Sequence, residues 1–145
     1  MKTKKLKDGG NCYEAAAQVA VLSPPDDREY FVVHGLVGGF IIEGEYVPLH
    51  GHAWVEYCEK VPMPAEMHKN LPEGHPDYFE MWFCIDKSNN NDSTLPREVY
   101  YHYGGVREDE TVRYTVEEAR LRMVDAANFG PWEDFILETE KKEGL

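Results

Sequence analysis

The segment over residues 79–86, FEMWFCID, constrains the fold most, because its side chains alternate in the way a β-strand requires. Phe79, Met81, Phe83 and Ile85 share one face, and Glu80, Trp82, Cys84 and Asp86 share the other. Residues 51–57, GHAWVEY, alternate as well, with His52, Trp54 and Glu56 opposed to Ala53, Val55 and Tyr57. Antiparallel pairing of these two strands as neighbours would bring His52 and Asp86 together at one end. A register of 52 across from 86 places 54 opposite 84 and 56 opposite 82, with Trp54 and Trp82 stacked beside the polar pair. Residues 30–37, YFVVHGLV, are rich in β-branched and aromatic side chains and form another expected strand. After the Gly38-Gly39 break, residues 40–42 continue it as a meander.

Helices are expected on either side of these strands. Residues 12–22, CYEAAAQVAVL, are alanine-rich, follow Asn11 as a potential N-cap and stop at Ser23-Pro24-Pro25, which places Cys12 in a first helical turn. Ser93 or Thr94 precedes a short helix expected over 96–103 and ended by Gly104-Gly105. Thr115 and Glu118 form a capping-box pattern for a helix over 116–129, closed by Gly130-Pro131; Val116, Ala119, Met123 and Ala126 follow its core spacing. The proline-punctuated stretch 62–76 is long for a connector and suits a lid or specificity loop, whereas 88–92 reads as a solvated polar loop. The expected fold class is α+β: an N-terminal cysteine-bearing helix packed on an antiparallel β-sheet, with two or three C-terminal helices.

Composition narrows the function classes. With 145 residues, 42% of them hydrophobic, the chain suits one domain over 9–145 behind a flexible basic tail at 1–8. No run approaches the roughly 18 apolar residues of a membrane span, and the basic start leads into Asp8-Gly9-Gly10 rather than an apolar signal core. A soluble, cytoplasmic protein without membrane partners is expected. The net charge of −12 opposes binding to nucleic acid. The three cysteines, at 12, 58 and 84, form neither a disulfide framework nor a zinc ribbon, and no cofactor-binding motif is present. His50 and His52 share H-x-H spacing, but no third ligand stands at a recognisable distance, so no metal site is expected.

The chemistry centres on Cys12. A thiolate is favoured in the first turn of a helix, where unpaired N–H groups and the macrodipole stabilise negative charge. The Cys12 N–H, with Asn11 or a neighbour, would face a developing oxyanion. A carboxylate on one nitrogen of His52 would hold the ring and stabilise its charged form, while the other nitrogen accepts the thiol proton. Cys12, His52 and Asp86 thus form the expected catalytic triad. Asn11, His34, His50, Trp54 and Trp82 complete the candidate substrate-binding set. Tyr100, Tyr101 and Tyr103 are read as packing residues of a short amphipathic helix.

Gly10-Asn11-Cys12 with Ala15, then His52-Ala53-Trp54-Val55-Glu56, then Ile85-Asp86 with Ser88, resemble the core of the transglutaminase-like and papain-like cysteine enzymes. Residues 32–38, VVHGLVG, are similar to the strand that family carries between its cysteine helix and its histidine strand. The likeness spans about residues 9–90, with Lys87 where the family usually has proline. The GNCYEAA, VHG and GHAWVE segments also resemble short uncharacterised proteins of phages and bacteria. The resemblance implies a cysteine peptidase, amidase or acyltransferase that acts on a peptide or protein carboxamide through a thioester. The alternative is a non-catalytic acidic interaction protein, such as a phage or host-defence modulator, that keeps the fold.

Overall fold

A computed structural model describes residues 10–88 and 92–135. The expected basic tail and residues 89–91 of the expected polar loop lie outside the described residues. Helix α1 (Gly10–Ala17) runs directly into a π-helical turn (Gln18–Leu22), which Ser23 closes by donating its N–H to the Gln18 carbonyl at 2.7 Å. Pro24 and Pro25 follow at once and end the helix.

Strands β1 (Tyr30–Val37), β4 (His50–Pro62), β5 (Tyr78–Asp86), β6 (Ser93–Pro96) and β7 (Thr111–Thr115) form one antiparallel sheet in the order β6-β5-β4-β1-β7. β1 is buried on both faces, which is why its sequence is a continuous apolar run rather than an alternating one. Two cores result. On one side α1, its π turn and helix α4 (Val116–Ala126) cover a cluster that includes Tyr13, Ala16, Val32, Val55, Tyr114 and Ala119. On the other side helix α3 (Arg97–Gly104) covers Val33, Val37, Trp54 and Cys84 through Tyr100. The sheet is therefore the middle of three layers, and the α+β architecture with an N-terminal cysteine-bearing helix is the one expected.

Several local expectations hold and others need correction. The capping box is present: Glu118 donates its N–H to the Thr115 hydroxyl at 3.1 Å, and Thr115 N–H reaches the Glu118 carboxylate at 2.9 Å. α4 ends three residues before the expected 129, however, because Ala127 turns left-handed (φ 57°). Residues 40–42 do not extend the main sheet. They form β2 (Phe40–Ile42), which pairs only with β3 (Glu45–Val47) around a tight Glu43-Gly44 turn whose φ values are both positive. Ser93 and Thr94 do not cap α3 but belong to strand β6, and the helix starts after Pro96. β7 was not foreseen. The 62–76 stretch, which carries the single-turn α2 (Ala65–His68), hangs from the Pro62 end of β4, the end remote from His52. At about 3.3 Å per residue, the ten steps from His52 to Pro62 span roughly 33 Å, too far for a lid over that histidine.

Candidate active site

The site lies where β5 stops. The β4–β5 ladder ends at Val55 opposite Ile85, so the stretch of β4 that carries His52 runs on without a partner on that side. The observed register pairs Glu56 with Cys84 and Cys58 with Trp82, two residues away from the expected one. A shift of two keeps every side chain on its face. His52 and Asp86 therefore still share a face, now diagonally, and His52 Nε2 donates to Asp86 Oδ2 at 2.9 Å. His52 also shares a hydrogen bond with the buried Cys12 side chain. With Nε2 committed to the carboxylate, Nδ1 is the nitrogen left for the thiol. Cys12 is the third residue of α1, within its first turn, where the helix dipole favours negative charge.

Asp86 is held from four directions. Oδ1 accepts from Ser88 N–H at 3.1 Å and from the Ser88 hydroxyl at 2.7 Å; Oδ2 accepts from His52 and from the Tyr100 hydroxyl at 2.6 Å. Burial pushes the Asp86 carboxyl up, but these donors and the His52 charge outweigh it and hold the group down at about 2. Burial likewise works against a charge on His52, yet hydrogen bonds to Asp86 and Cys12 raise the imidazole to about 9. The site thus favours an ionised carboxylate next to an imidazolium at neutral pH. Burial and Asp86 raise the Tyr100 hydroxyl, which stays protonated as a donor.

A second buried polar system supports the first. The Trp54 ring lies nearly parallel to His52, centroids 6.2 Å apart, and its Nε1–H donates to Glu56 Oε2 at 2.9 Å. Glu56 is fully buried, and its carboxylate also accepts from Tyr101 and Arg113, with Arg97 at 3.5 Å. Burial raises the Glu56 carboxyl, but Tyr101, Trp54 and Arg113 pull it below the ordinary value.

The expected site residues separate into those the fold gathers and those it does not. Cys12, His52 and Asp86 meet, Trp54 backs the imidazole, and His50 stands beside the site with its ring 6.3 Å from that of His52. His50 Nδ1 donates to the Pro48 carbonyl at 2.8 Å. Trp82 lies elsewhere, against Phe31 and under the Arg97 guanidinium, because the two-residue shift carries it along β5 away from Trp54. His34 faces the opposite layer, fully buried among Tyr13, Tyr114 and Trp132. Neither of its ring nitrogens has a hydrogen-bond partner, and burial pushes it down to about 3, so it is a neutral core histidine. The Asn11 side chain lies outside the described parts of the structure. Tyr100, read from the sequence as packing alone, is a direct Asp86 donor. Only its place on a helix next to the tyrosine-rich run hinted at this. Among the described residues no group of three His, Cys, Asp or Glu side chains is arranged to hold a metal ion.

A mostly apolar cavity of about 450 Å³ opens beside His52 and Asp86. One wall is the β2–β3 hairpin and the other is β6 and the end of α3. No family model matches the chain, and no curated protein or solved structure is significantly similar to it. No helix among the described residues is long and apolar enough to cross a membrane.

Proposed function

We propose that the protein is a cysteine-dependent amide or peptide hydrolase, or an acyltransferase, that works through a thioester. The observation that carries this reading is the position of His52, hydrogen-bonded to the Asp86 carboxylate through Nε2 and to the Cys12 side chain. In this scheme the thiol proton already rests on His52 Nδ1 in a thiolate–imidazolium pair, and the Cys12 sulfur attacks the carbonyl carbon of a carboxamide. The negative charge on the carbonyl oxygen is met by the positive end of the α1 dipole. Collapse breaks the C–N bond, and the His52 proton goes to the departing amine. Water or a second amine then attacks the thioester while His52 takes its proton, and the Cys12 sulfur is released. Asp86 orients the imidazole and stays ionised throughout.

The test is the pH profile of Cys12 alkylation by iodoacetamide, followed by peptide mass mapping so that Cys58 and Cys84 are scored separately. The expected result is a rate that persists to pH 6, where an ordinary thiol with a pKa of about 8.5 is protonated, and that His52→Ala and Asp86→Asn both depress. A profile that matches a free thiol and ignores both substitutions would overturn the triad.

A further inference from the structure

The cavity beside His52 is built rather than incidental. Its hairpin wall is fastened to α3 by Gly38 N–H, which donates to the Gly104 carbonyl at 2.9 Å, and is closed at its own base by Gly39 N–H, which donates to the Val47 carbonyl at 2.7 Å. Gly105 packs so closely that a Cβ there would lie 2.7 Å from Gly38 O and 2.9 Å from Phe40 Cδ1. At Gly38, φ is +91° and a Cβ would meet the Pro48 carbonyl oxygen at 2.4 Å, so only glycine lets the chain leave β1 at this angle. These contacts seat Phe40, with its β3 partner Val47, over the end of β1. Val37, Leu95 and Tyr103 complete an apolar hollow that has the catalytic histidine on its rim. Its volume of about 450 Å³ exceeds any single side chain and suits one large apolar group with part of its backbone.

We infer that this hollow is a specificity pocket that takes a large apolar side chain, aromatic or branched aliphatic, of a peptide-like amide next to the reacting bond. The inference rests on the proposed function for the identity of the reacting bond, but the pocket's preference stands on its own lining. His50 offers the polar edge. Its Nδ1–H is spent on Pro48, which leaves Nε2 as the ring nitrogen available to a polar group of the substrate. Glycine or a charged residue at this subsite leaves the hollow unfilled or desolvates a charge without a partner.

The test uses Cys12→Ala protein, so that binding is read without turnover. N-acetyl-phenylalaninamide and N-acetyl-glycinamide are titrated in turn, and the imidazole NMR signals of His50 and His52 are followed. His68, which hydrogen-bonds the Met63 carbonyl at the far end of β4, is the internal control. The phenylalanine amide should shift His50 and His52 saturably, leave His68 unmoved and bind about tenfold or more tighter than the glycine amide. Leu95→Trp and Val47→Trp, which fill the hollow from opposite walls, should each abolish that difference. Equal binding of the two amides, shifts shared by His68, or a preference that survives both fillings would overturn the pocket. Binding without Cys12 alkylation would sink the catalytic reading alone. Triad-dependent alkylation without side-chain preference would sink the pocket alone.

Discussion

Replacing His34 with phenylalanine should remove a defined acid-labile part of the stability. In the folded chain burial depresses this imidazole to about 3, and Asp134 offsets the effect only in part. In the unfolded chain it titrates near 6.5. Above pH 6.5 both states are neutral at this position, and His34 makes stability independent of pH. Below it the unfolded state binds a proton that the folded state refuses, so stability falls by about 1.4 kcal/mol per pH unit until about pH 3. Integrated from pH 7.5 to 5.0, the loss is about 2 kcal/mol, which at a typical urea slope of 1–3 kcal/mol/M lowers the midpoint by about 1 M. Phenylalanine keeps a ring against Tyr13, Tyr114 and Trp132 while deleting the two unpaired nitrogens. Urea titrations of both proteins at pH 7.5 and 5.0 form a cycle in which other titrating groups, His52 included, cancel to first order. Wild type should lose about 2 kcal/mol more than the variant between the two pH values. Equal losses would mean that His34 is protonated in the folded protein and that its burial has been misjudged.

Asp86→Asn should bring the His52 imidazole down from about 9 toward the ordinary 6.5, as followed by NMR. Because that histidine is raised on folding, its contribution is fully present below pH 6.5 and fades as pH climbs through about 9; the substitution should flatten this alkaline loss. Tyr100→Phe deletes the 2.6 Å donor to Asp86 and should lower stability by about 1.5 kcal/mol or more, a value an unchanged urea midpoint would contradict. Glu56→Ala strips the buried carboxylate from Trp54, Tyr101 and Arg113 and should cost about 3 kcal/mol or more by thermal or urea melting. Gly35→Ala puts a Cβ 2.8 Å from both Thr111 Cγ2 and Trp54 Cη2, so overpacking should destabilise the protein by about 1–3 kcal/mol; a neutral result would show that Trp54 is free to shift.

The strands and the faces of their side chains were legible in the sequence because alternation reports parity directly. Residues 30–37 match β1 to the residue, and the assignment of His52, Trp54, Glu56, Cys84 and Asp86 to one face stands. Alternation carries no information on the offset between strands, since a slip of two residues leaves each face unchanged. That ambiguity explains why Trp82 is expected across from Glu56 and stacked with Trp54, while the structure sets it across from Cys58. Ser93 and Thr94 misled for a different reason: a hydroxyl residue shortly before a helix looks like a cap, and only the pairing with Ile85 and Asp86 makes the segment a strand. β7 went unseen because TVRYT is short, follows the charged residues 107–110 and gains its place from β1 alone. His34 could not be placed from its neighbours in sequence. Its aromatic surroundings come from α1, β7 and residues 132–135, which only the fold brings together.

The early end of β5 decides when Cys12, His52 and Asp86 can meet. Cys12 belongs to the helix layer on one side of the sheet, whereas His52 and Asp86 belong to the face covered by α3; the three meet only around the strand end. A chain that has formed α1 but has not yet zipped β4 to β5 holds Cys12 apart from His52 and His52 apart from Asp86. Under the proposed mechanism the unfinished polypeptide would be kept from acylating itself, and Cys12 alkylation would report completed assembly.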